Sequence, residues 1–165
     1  MNAIAAVNEK GYIGRNGTLL YSIPEDMAYF VRMTKGKCVV MGRKTLLSLP
    51  GGKGLKNRQN YVLSRAMTEA EALDRGVTVV RSVDELLRAL DEAGISTDEV
   101  FVIGGSEIYA LLLPHCDTLY ITRILDDTVG DASFPPIPDT YVLKKGELLT
   151  SGGYAYRFDV YAEKR

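Results

Sequence analysis

The fold of this chain is decided by one stretch, Val100-Phe101-Val102-Ile103-Gly104-Gly105-Ser106-Glu107-Ile108-Tyr109. Consecutive apolar residues are typical of a buried strand, and the residues after the two glycines have the pattern of a helix. Glycines lack a Cβ atom and let a ligand approach the backbone, while free N–H groups at the start of a helix favour phosphate. The stretch therefore predicts a strand, a nucleotide-binding turn and a helix. A tight turn without a ligand is the alternative that this feature alone leaves open.

Similar apolar runs precede this stretch at residues 3–7, 38–41, 61–63 and 77–80. Runs that are nearly continuous, not alternating, are typical of strands covered by helices on both faces of a parallel sheet. Helix signals lie between them, because Pro24 suits a first helical position and Ser82 with Glu85 forms a capping box. This alternation of strands and helices predicts an α/β sandwich.

The last third of the chain has a different pattern. Strands are predicted at residues 119–124 and 141–149, and the pair Gly152-Gly153 predicts a turn into an alternating strand at 154–161. We expect an antiparallel edge on a mostly parallel sheet. The segments 8–22 and 125–138 are predicted to be loops, and both are long enough to be functional.

Length and composition exclude several classes of protein. The chain has 165 residues, a net charge of −1, one His, two Cys and no Trp. This length favours one domain, residues 1–165, and the balanced charge argues against a broad nucleic-acid surface. The scarcity of His and Cys excludes a structural zinc site, and no apolar run approaches the roughly 18 residues of a membrane helix. Without the pattern of a signal peptide, we expect a cytoplasmic protein with no metal, membrane or nucleic-acid partner.

Basic residues follow the ends of the predicted strands. Arg43-Lys44 come after the second run, Arg65 after the third and Arg81 after the fourth. The carboxyl ends of strands in a doubly wound sheet share one edge, where ligands bind. A phosphate pocket is therefore predicted there, with NADP favoured over NAD. The dinucleotide fingerprint G-x-G-x-x-G is absent after the first strand, which disfavours an ordinary Rossmann domain.

Asp26 is the main candidate for chemistry. In the helix predicted from Pro24 it shares a face with Phe30 and Met33, so its pKa is expected to rise above the usual value of about 3.9. Such a carboxylate holds a ligand or helps to deliver a proton. The alternative is an ordinary acidic residue favoured by the helix dipole. Arg58 can bind a carboxylate bidentately, although most loop arginines are solvated.

A series of short motifs runs in order along nearly the whole chain. It comprises Ile4-Ala5-Ala6, Ile13-Gly14, Ile23-Pro24-Glu25-Asp26-Met27, Phe30, Val40-Met41-Gly42-Arg43-Lys44-Thr45, Leu55, Arg58-Gln59-Asn60, Leu63-Ser64-Arg65, Ile103-Gly104-Gly105, Tyr109, Leu119-Tyr120-Ile121-Thr122, Gly130-Asp131 and Phe134-Pro135. The series resembles the bacterial dihydrofolate reductases. This resemblance implies an α/β fold with a mostly parallel central sheet of about eight strands, helices on both faces and an antiparallel C-terminal hairpin.

The resemblance also implies a reaction and the residues that serve it. The reaction is reduction of 7,8-dihydrofolate to 5,6,7,8-tetrahydrofolate by hydride transfer from NADPH, in a monomer. Asp26 would bind the pterin and support protonation of N5, Thr122 would connect to that carboxylate, and Tyr21 would lie in the active site. The implied substrate-binding residues are Ile4, Ala5, Met27, Phe30, Leu49, Leu55, Arg58 for the glutamate tail, Ile103 and Tyr109.

The residues implied to bind NADPH come from both halves of the chain. They are Ala6, Ile13, Gly14, Leu19, Gly42, Arg43, Lys44, Thr45, Leu63, Ser64, Arg65, Arg81, Gly104, Gly105, Ser106, Glu107 and Ile108. The resemblance further implies a cis peptide between Gly104 and Gly105 and a mobile lid at residues 9–22.

The chain departs from the family pattern at several positions. Leu20-Tyr21 stand where Pro-Trp is usual, Ser106 replaces a frequent glycine, and Glu107 replaces a frequent basic residue and is expected to repel NADPH unless Arg65 and Arg81 compensate. Segment 50–54 is longer than in the shortest members. Two alternatives remain open at this point. One is a related reductase that uses NADPH on a ribosylamino-pyrimidine; the other is a nucleotide-binding module without catalysis.

Overall fold

The computed structural model describes residues 1–164 and contains twelve strands and five α-helices. The strands are β1 Asn2–Asn8, β2 Tyr12–Arg15, β3 Thr18–Leu19, β4 Cys38–Gly42, β5 Gln59–Leu63, β6 Thr78–Val80, β7 Val100–Val102, β8 Thr118–Ile124, β9 Ala132–Ser133, β10 Tyr141–Lys144, β11 Leu149–Ser151 and β12 Tyr154–Glu163. The helices are α1 Pro24–Thr34, α2 Arg43–Ser48, α3 Glu69–Asp74, α4 Val83–Glu92 and α5 Ser106–Leu112.

The main sheet has the order β10-β12-β8-β1-β7-β4-β5-β6, and β11 pairs with β12. Every pair from β8 to β6 is parallel, whereas β12 lies antiparallel to β8, β10 and β11. The predicted fold class is therefore confirmed, including the antiparallel C-terminal edge.

Strand β4 explains why the sheet needs helices on both faces. All five of its residues are buried. Cys38 and Val40 belong to an apolar cluster that includes residues of α4 and α5, while Val39 and Met41 belong to a second cluster with residues of α2 and α3. Since successive side chains of a strand point to opposite faces, the two clusters lie on opposite sides of the sheet.

The start of α4 is capped as its sequence predicts, with one difference. The hydroxyl of Ser82 accepts a hydrogen bond from the backbone N–H of Glu85. The carboxylate of Glu85 accepts from the backbone N–H of Arg81, and not from that of Ser82 as in the usual capping box. The reciprocal bond therefore ties the helix to the end of β6.

Three sequence predictions need correction. The segments 8–22 and 125–138 are only partly irregular, because β2, β3 and β9 form a second sheet there. The predicted strand 141–149 is two strands, β10 and β11, separated by a break. Gly146 lies in that break. A Cβ atom on Gly146 would lie 2.3 Å from the carbonyl oxygen of Phe158, so the backbone passes close to β12 there and the regular strand pairing is interrupted.

The expected hairpin turn and the expected cis peptide are both present. Gly152 and Gly153 have φ angles of 58° and 86°, and they join β11 to β12. The peptide between Gly104 and Gly105 is cis. Cys38 and Cys116 are buried free thiols, and burial raises the pKa of each to about 12. Within residues 1–164, no helix is long and apolar enough to cross a membrane.

Candidate active site

Asp26 and Thr122 meet at the junction of α1 and the main sheet. Asp26 lies in the first turn of α1, which Pro24 begins, and Thr122 lies in the buried middle of β8. The Thr122 hydroxyl donates a hydrogen bond of 2.6 Å to Oδ1 of Asp26. Burial raises the pKa of Asp26, and this effect outweighs the hydrogen bond from Thr122, which acts to lower it. The site thus contains a half-buried carboxyl group that holds its proton more readily than an exposed one.

An apolar wall stands beside this carboxyl group. It is formed by one face of the sheet, α1 and the segment after α2, and its members are Ile4, Phe30, Leu49, Leu55 and Ile103. Two predicted substrate residues lie elsewhere: Ala5 packs against the cluster on the opposite face, and Met27 is 57% exposed. The wall can therefore exclude water on one side of Asp26, while Met27 faces the open side.

Tyr109 is fully enclosed behind the site. Its hydroxyl donates a hydrogen bond of 2.7 Å to the backbone carbonyl of Ile4, and its ring packs 4.9 Å from that of Phe134. Burial raises the pKa of Tyr109 well above its usual value. The residue is therefore a neutral, fixed tyrosine that holds α5 against β1.

Arg58 lies at the end of α1 opposite to Asp26 and is held in place by its neighbours. Its Nε donates to the hydroxyl of Thr34, a fully buried side chain, and its guanidinium also donates to the carbonyl of Lys56 at 2.6 Å. The Thr34 hydroxyl in turn donates to the carbonyl of Phe30. This chain of contacts connects Arg58 to α1, and burial lowers the pKa of its guanidinium from a very high value.

The two glycines after β7 form a cradle next to α2. The backbone N–H of Gly42 donates to the carbonyl of Gly104 at 2.9 Å. A Cβ atom on Gly104, whose φ is 118°, would lie 3.3 Å from the Tyr109 ring and 3.5 Å from the Thr45 hydroxyl oxygen. The hydroxyl of Ser106, the first residue of α5, is buried without a hydrogen-bond partner among residues 1–164. The turn therefore brings the backbone of Gly105, the hydroxyl of Thr45 and the unpaired hydroxyl of Ser106 to the start of α5.

The basic strand ends share one edge, as predicted. Gly42, Leu63 and Val80 are in register at the ends of β4, β5 and β6, so the residues that follow them are close. Arg65 and Lys44 are exposed there. Glu107 is exposed as well, at the start of α5.

Two arginines at this edge are already engaged. Arg43 donates twice to the carboxylate of Glu71, at 2.9 and 3.2 Å. The guanidinium of Arg81 donates to the backbone carbonyls of Ser64, Arg65 and Met67, so it braces the segment after β5. Arg81 is therefore less available than expected to offset the charge of Glu107.

Four of the remaining predicted cofactor residues lie around β1 and β2, and Ile108 lies in α5. Ile13 is buried, Ala6 packs near Tyr21, and the exposed Leu19 pairs with Gly14 across the small sheet. Ile108 approaches Gly42 so closely that a Cβ atom on the glycine would lie 3.0 Å from it.

Tyr21 makes contacts that no local sequence pattern indicates, because its partners Asn8 and Asp126 lie in other segments of the chain. Tyr21 donates its hydroxyl hydrogen to the carboxylate of Asp126 and accepts a hydrogen bond of 3.1 Å from the Asn8 amide. The same amide donates to the carbonyl of Thr128 at 2.7 Å. The only available signal was the acidic composition of the segment that contains Asp126.

Comparisons with known proteins identify the family of this chain. The family model described as dihydrofolate reductase matches residues 1–163. The dihydrofolate reductase of Bacillus subtilis is 34% identical over 165 residues, which cover 98% of this chain and 93% of that protein. The enzyme of Mycobacterium tuberculosis is 37% identical, covering 92% and 90%, and that of Mus musculus is 34% identical, covering 99% and 97%. The chain belongs to the dihydrofolate reductase family.

Proposed function

We propose that this chain reduces 7,8-dihydrofolate to 5,6,7,8-tetrahydrofolate with NADPH as the hydride donor. The main support for this proposal is the environment of Asp26. Its carboxyl group is half-buried beside an apolar wall and accepts a hydrogen bond of 2.6 Å from Thr122. A pterin ring is flat and largely apolar on its faces, and its amino and ring N–H groups match the two oxygens of a carboxylate.

Asp26 has two tasks in this proposal. Its carboxyl oxygens bind the amino and ring N–H groups of the pterin and fix the ring orientation. Because burial raises its pKa, the group also supports delivery of a proton to N5 near neutral pH. Thr122 holds the carboxyl group in one rotamer, and the apolar wall keeps water away from the reacting atoms. Arg58, whose Nε donates to the Thr34 hydroxyl, would bind the carboxylate of the glutamate tail.

The residues of the cradle fit NADPH. A Cβ atom on Gly104 would crowd the Tyr109 ring and the Thr45 hydroxyl, so glycine permits this turn beside Thr45, and the buried hydroxyl of Ser106 needs a partner that a phosphate oxygen can provide. Thr45 and Ser106 would hold the pyrophosphate, while Ser64 and Arg65 would hold the phosphate on the adenosine. When bound, the cofactor would supply the hydride, so the reaction does not require a nucleophile activated by a general base.

The charge and the cysteines support the rest of the proposal. We propose that the chain acts as a cytoplasmic monomer that takes a small-molecule substrate and no nucleic acid. A net charge of −1 is unsuited to a nucleic-acid surface, and two buried free thiols are typical of a reducing compartment.

The direct test mixes purified protein with NADPH and dihydrofolate and follows the loss of absorbance of the reduced nicotinamide. We expect turnover that requires both compounds and that stops when a ribosylamino-pyrimidine replaces dihydrofolate. Cofactor binding is measured separately by fluorescence. Folded protein that binds NADPH but gives no turnover with dihydrofolate would contradict the proposal.

A further inference from the structure

Two side-chain hydrogen bonds connect the same two segments of the chain. Thr122 donates to Asp26, and five residues before Asp26 the hydroxyl of Tyr21 donates to Asp126, four residues after Thr122. The second bond lies earlier than the first in one segment and later in the other. Because the two bonds join the segments at separate positions, together they fix both the distance and the orientation of α1 relative to β8. We propose that Tyr21 and Asp126 form a positioning pair that holds Asp26 against Thr122. This inference rests on the proposed function, in which Asp26 contacts the substrate.

Apolar packing brings the two segments together but leaves their register less defined. Tyr21 packs with Ile23, the residue before α1, and with Ile124, the last residue of β8. Its ring also meets the edge of the Tyr154 ring, with 5.0 Å between centroids. Such contacts are non-directional, whereas a hydrogen bond requires one distance and one angle. The hydroxyl of Tyr21 therefore supplies the directional part of this junction.

Asn8, the last residue of β1, holds the pair of Tyr21 and Asp126 in place. Its side chain is completely buried, and its carbonyl oxygen accepts from the backbone N–H groups of Lys10 and Tyr12 at 3.0 Å each. Its amide donates to Tyr21 and to the carbonyl of Thr128. All the polar contacts of this amide group are thus used to hold segment 9–21 and segment 125–128 at the end of β1.

The charges at this junction favour one direction of the bond. Hydrogen bonds from Thr128 and Tyr21 lower the pKa of Asp126, so its carboxylate is ionised at neutral pH. Burial first, and then the bond to Asp126, raise the pKa of Tyr21, so its hydroxyl keeps the proton. The result is a neutral donor facing a charged acceptor, which is the stronger kind of hydrogen bond. An indole at position 21 has an N–H in a different place and no oxygen to accept from Asn8.

The test uses the variants Tyr21→Phe, Asp126→Ala and the double variant, with Asp127→Ala as the matched control. Tyr21→Phe removes one oxygen and keeps the ring against Tyr154, while Asp127 is an exposed acid next to Asp126. We expect each single variant to lower kcat about tenfold, the effect of losing one hydrogen bond to a charged group. The double variant is expected to lose no more than either single variant, because both changes remove the same bond.

A second measurement separates positioning from a general loss of structure. If Asp26 moves away from Thr122, it loses a hydrogen bond that lowers its pKa, so the alkaline fall in kcat should move to higher pH in Tyr21→Phe. Thr122→Val should shift the profile in the same direction. The other titratable side chains that interact electrostatically with Asp26 are Tyr29, Tyr109 and Tyr156, and these variants leave them unchanged. The affinity for NADPH should stay at the wild-type value.

The outcomes are distinct. Additive losses in the double variant, or a lower kcat with an unshifted pH profile, would overturn the positioning role of Tyr21 and Asp126. Wild-type kcat in Tyr21→Phe would overturn it as well. If the wild-type protein itself fails to reduce dihydrofolate, the proposed function fails, which the same assay reports before any variant is compared.

Discussion

At the scale of single residues, the properties of Asp26 come from its two neighbours, an apolar wall and one threonine hydroxyl. Replacing it with Asn keeps the shape and the contact to Thr122 but removes the acid. We expect Asp26→Asn to lower kcat at neutral pH by about a hundredfold or more, the contribution of a positioned general acid. The affinity for NADPH should be unchanged, because Asp26 lies outside the glycine cradle. Activity is followed by absorbance and binding by cofactor fluorescence.

Near-wild-type turnover in Asp26→Asn would remove the proton-delivery role from this residue. A large fall in NADPH affinity would instead indicate that the substitution disturbs the whole site. Asp127→Asn is the control, since it makes the same chemical change at an exposed position.

Among residues 1–164, Arg65 is the arginine at the basic edge that remains available, because Arg43 is bound to Glu71 and Arg81 to three backbone carbonyls. We therefore expect Arg65→Ala to reduce the preference for NADPH over NADH by about tenfold, the effect of one charged contact to a phosphate. The preference is measured as the ratio of kcat/KM for the two cofactors. Arg88→Ala, an equal loss of charge at an exposed position on α4, should leave the ratio unchanged. An unchanged ratio in Arg65→Ala would remove this residue from the phosphate site.

At the scale of elements, the turn from β7 into α5 depends on the space around Gly104. Its φ of 118° disfavours any side chain, and a Cβ atom there would also crowd Tyr109 and Thr45. Gly36 has a φ of 75° and nothing within 4 Å of its Cβ position, so Gly36→Ala has the backbone penalty alone. We expect Gly36→Ala to cost about 1 kcal/mol of stability, and Gly104→Ala to cost more and to weaken NADPH binding as well.

Urea unfolding gives the two stabilities, and cofactor fluorescence gives the two affinities. Equal losses of stability with unchanged NADPH affinity in both variants would mean that the turn tolerates the crowding and that Gly104 does not approach the cofactor.

How far the sequence predicts an element depends on how local its cause is. The stretch 100–109 contains its own strand pattern, turn residues and helix start, and the structure has β7, the cis glycine pair and α5 there. The network of Asn8, Tyr21 and Asp126 joins residues that are 13 and 105 positions apart. No pattern in one segment specifies a contact that depends on the orientation of side chains on another. The small sheet of β2, β3 and β9 was not predicted, because its strands have only two to four residues and show no recognisable alternation.

At the scale of the whole molecule, the site lies where the basic edge of the main sheet meets its apolar face. The carboxyl ends of the parallel strands provide the basic edge, and the apolar face of the same sheet provides the wall beside Asp26. The near-neutral total charge therefore conceals a separation of charges within residues 1–164, with the exposed Lys44 and Arg65 at one edge and the carboxyl group of Asp26 beside the apolar wall.

At neutral pH, this half-buried acid should also make the molecule less stable than it would be without it. The folded-state pKa of Asp26 is raised above its unfolded value by burial, so its favourable contribution is complete below the unfolded pKa and is lost as pH rises through the folded pKa. We expect Asp26→Asn to unfold like the wild type near pH 3, and to have the larger free energy of unfolding near pH 7. Urea unfolding of both proteins across this range measures the difference. Asp127→Asn should show no comparable gain, and parallel curves for Asp26→Asn and wild type would mean that ionising Asp26 carries no penalty in the fold.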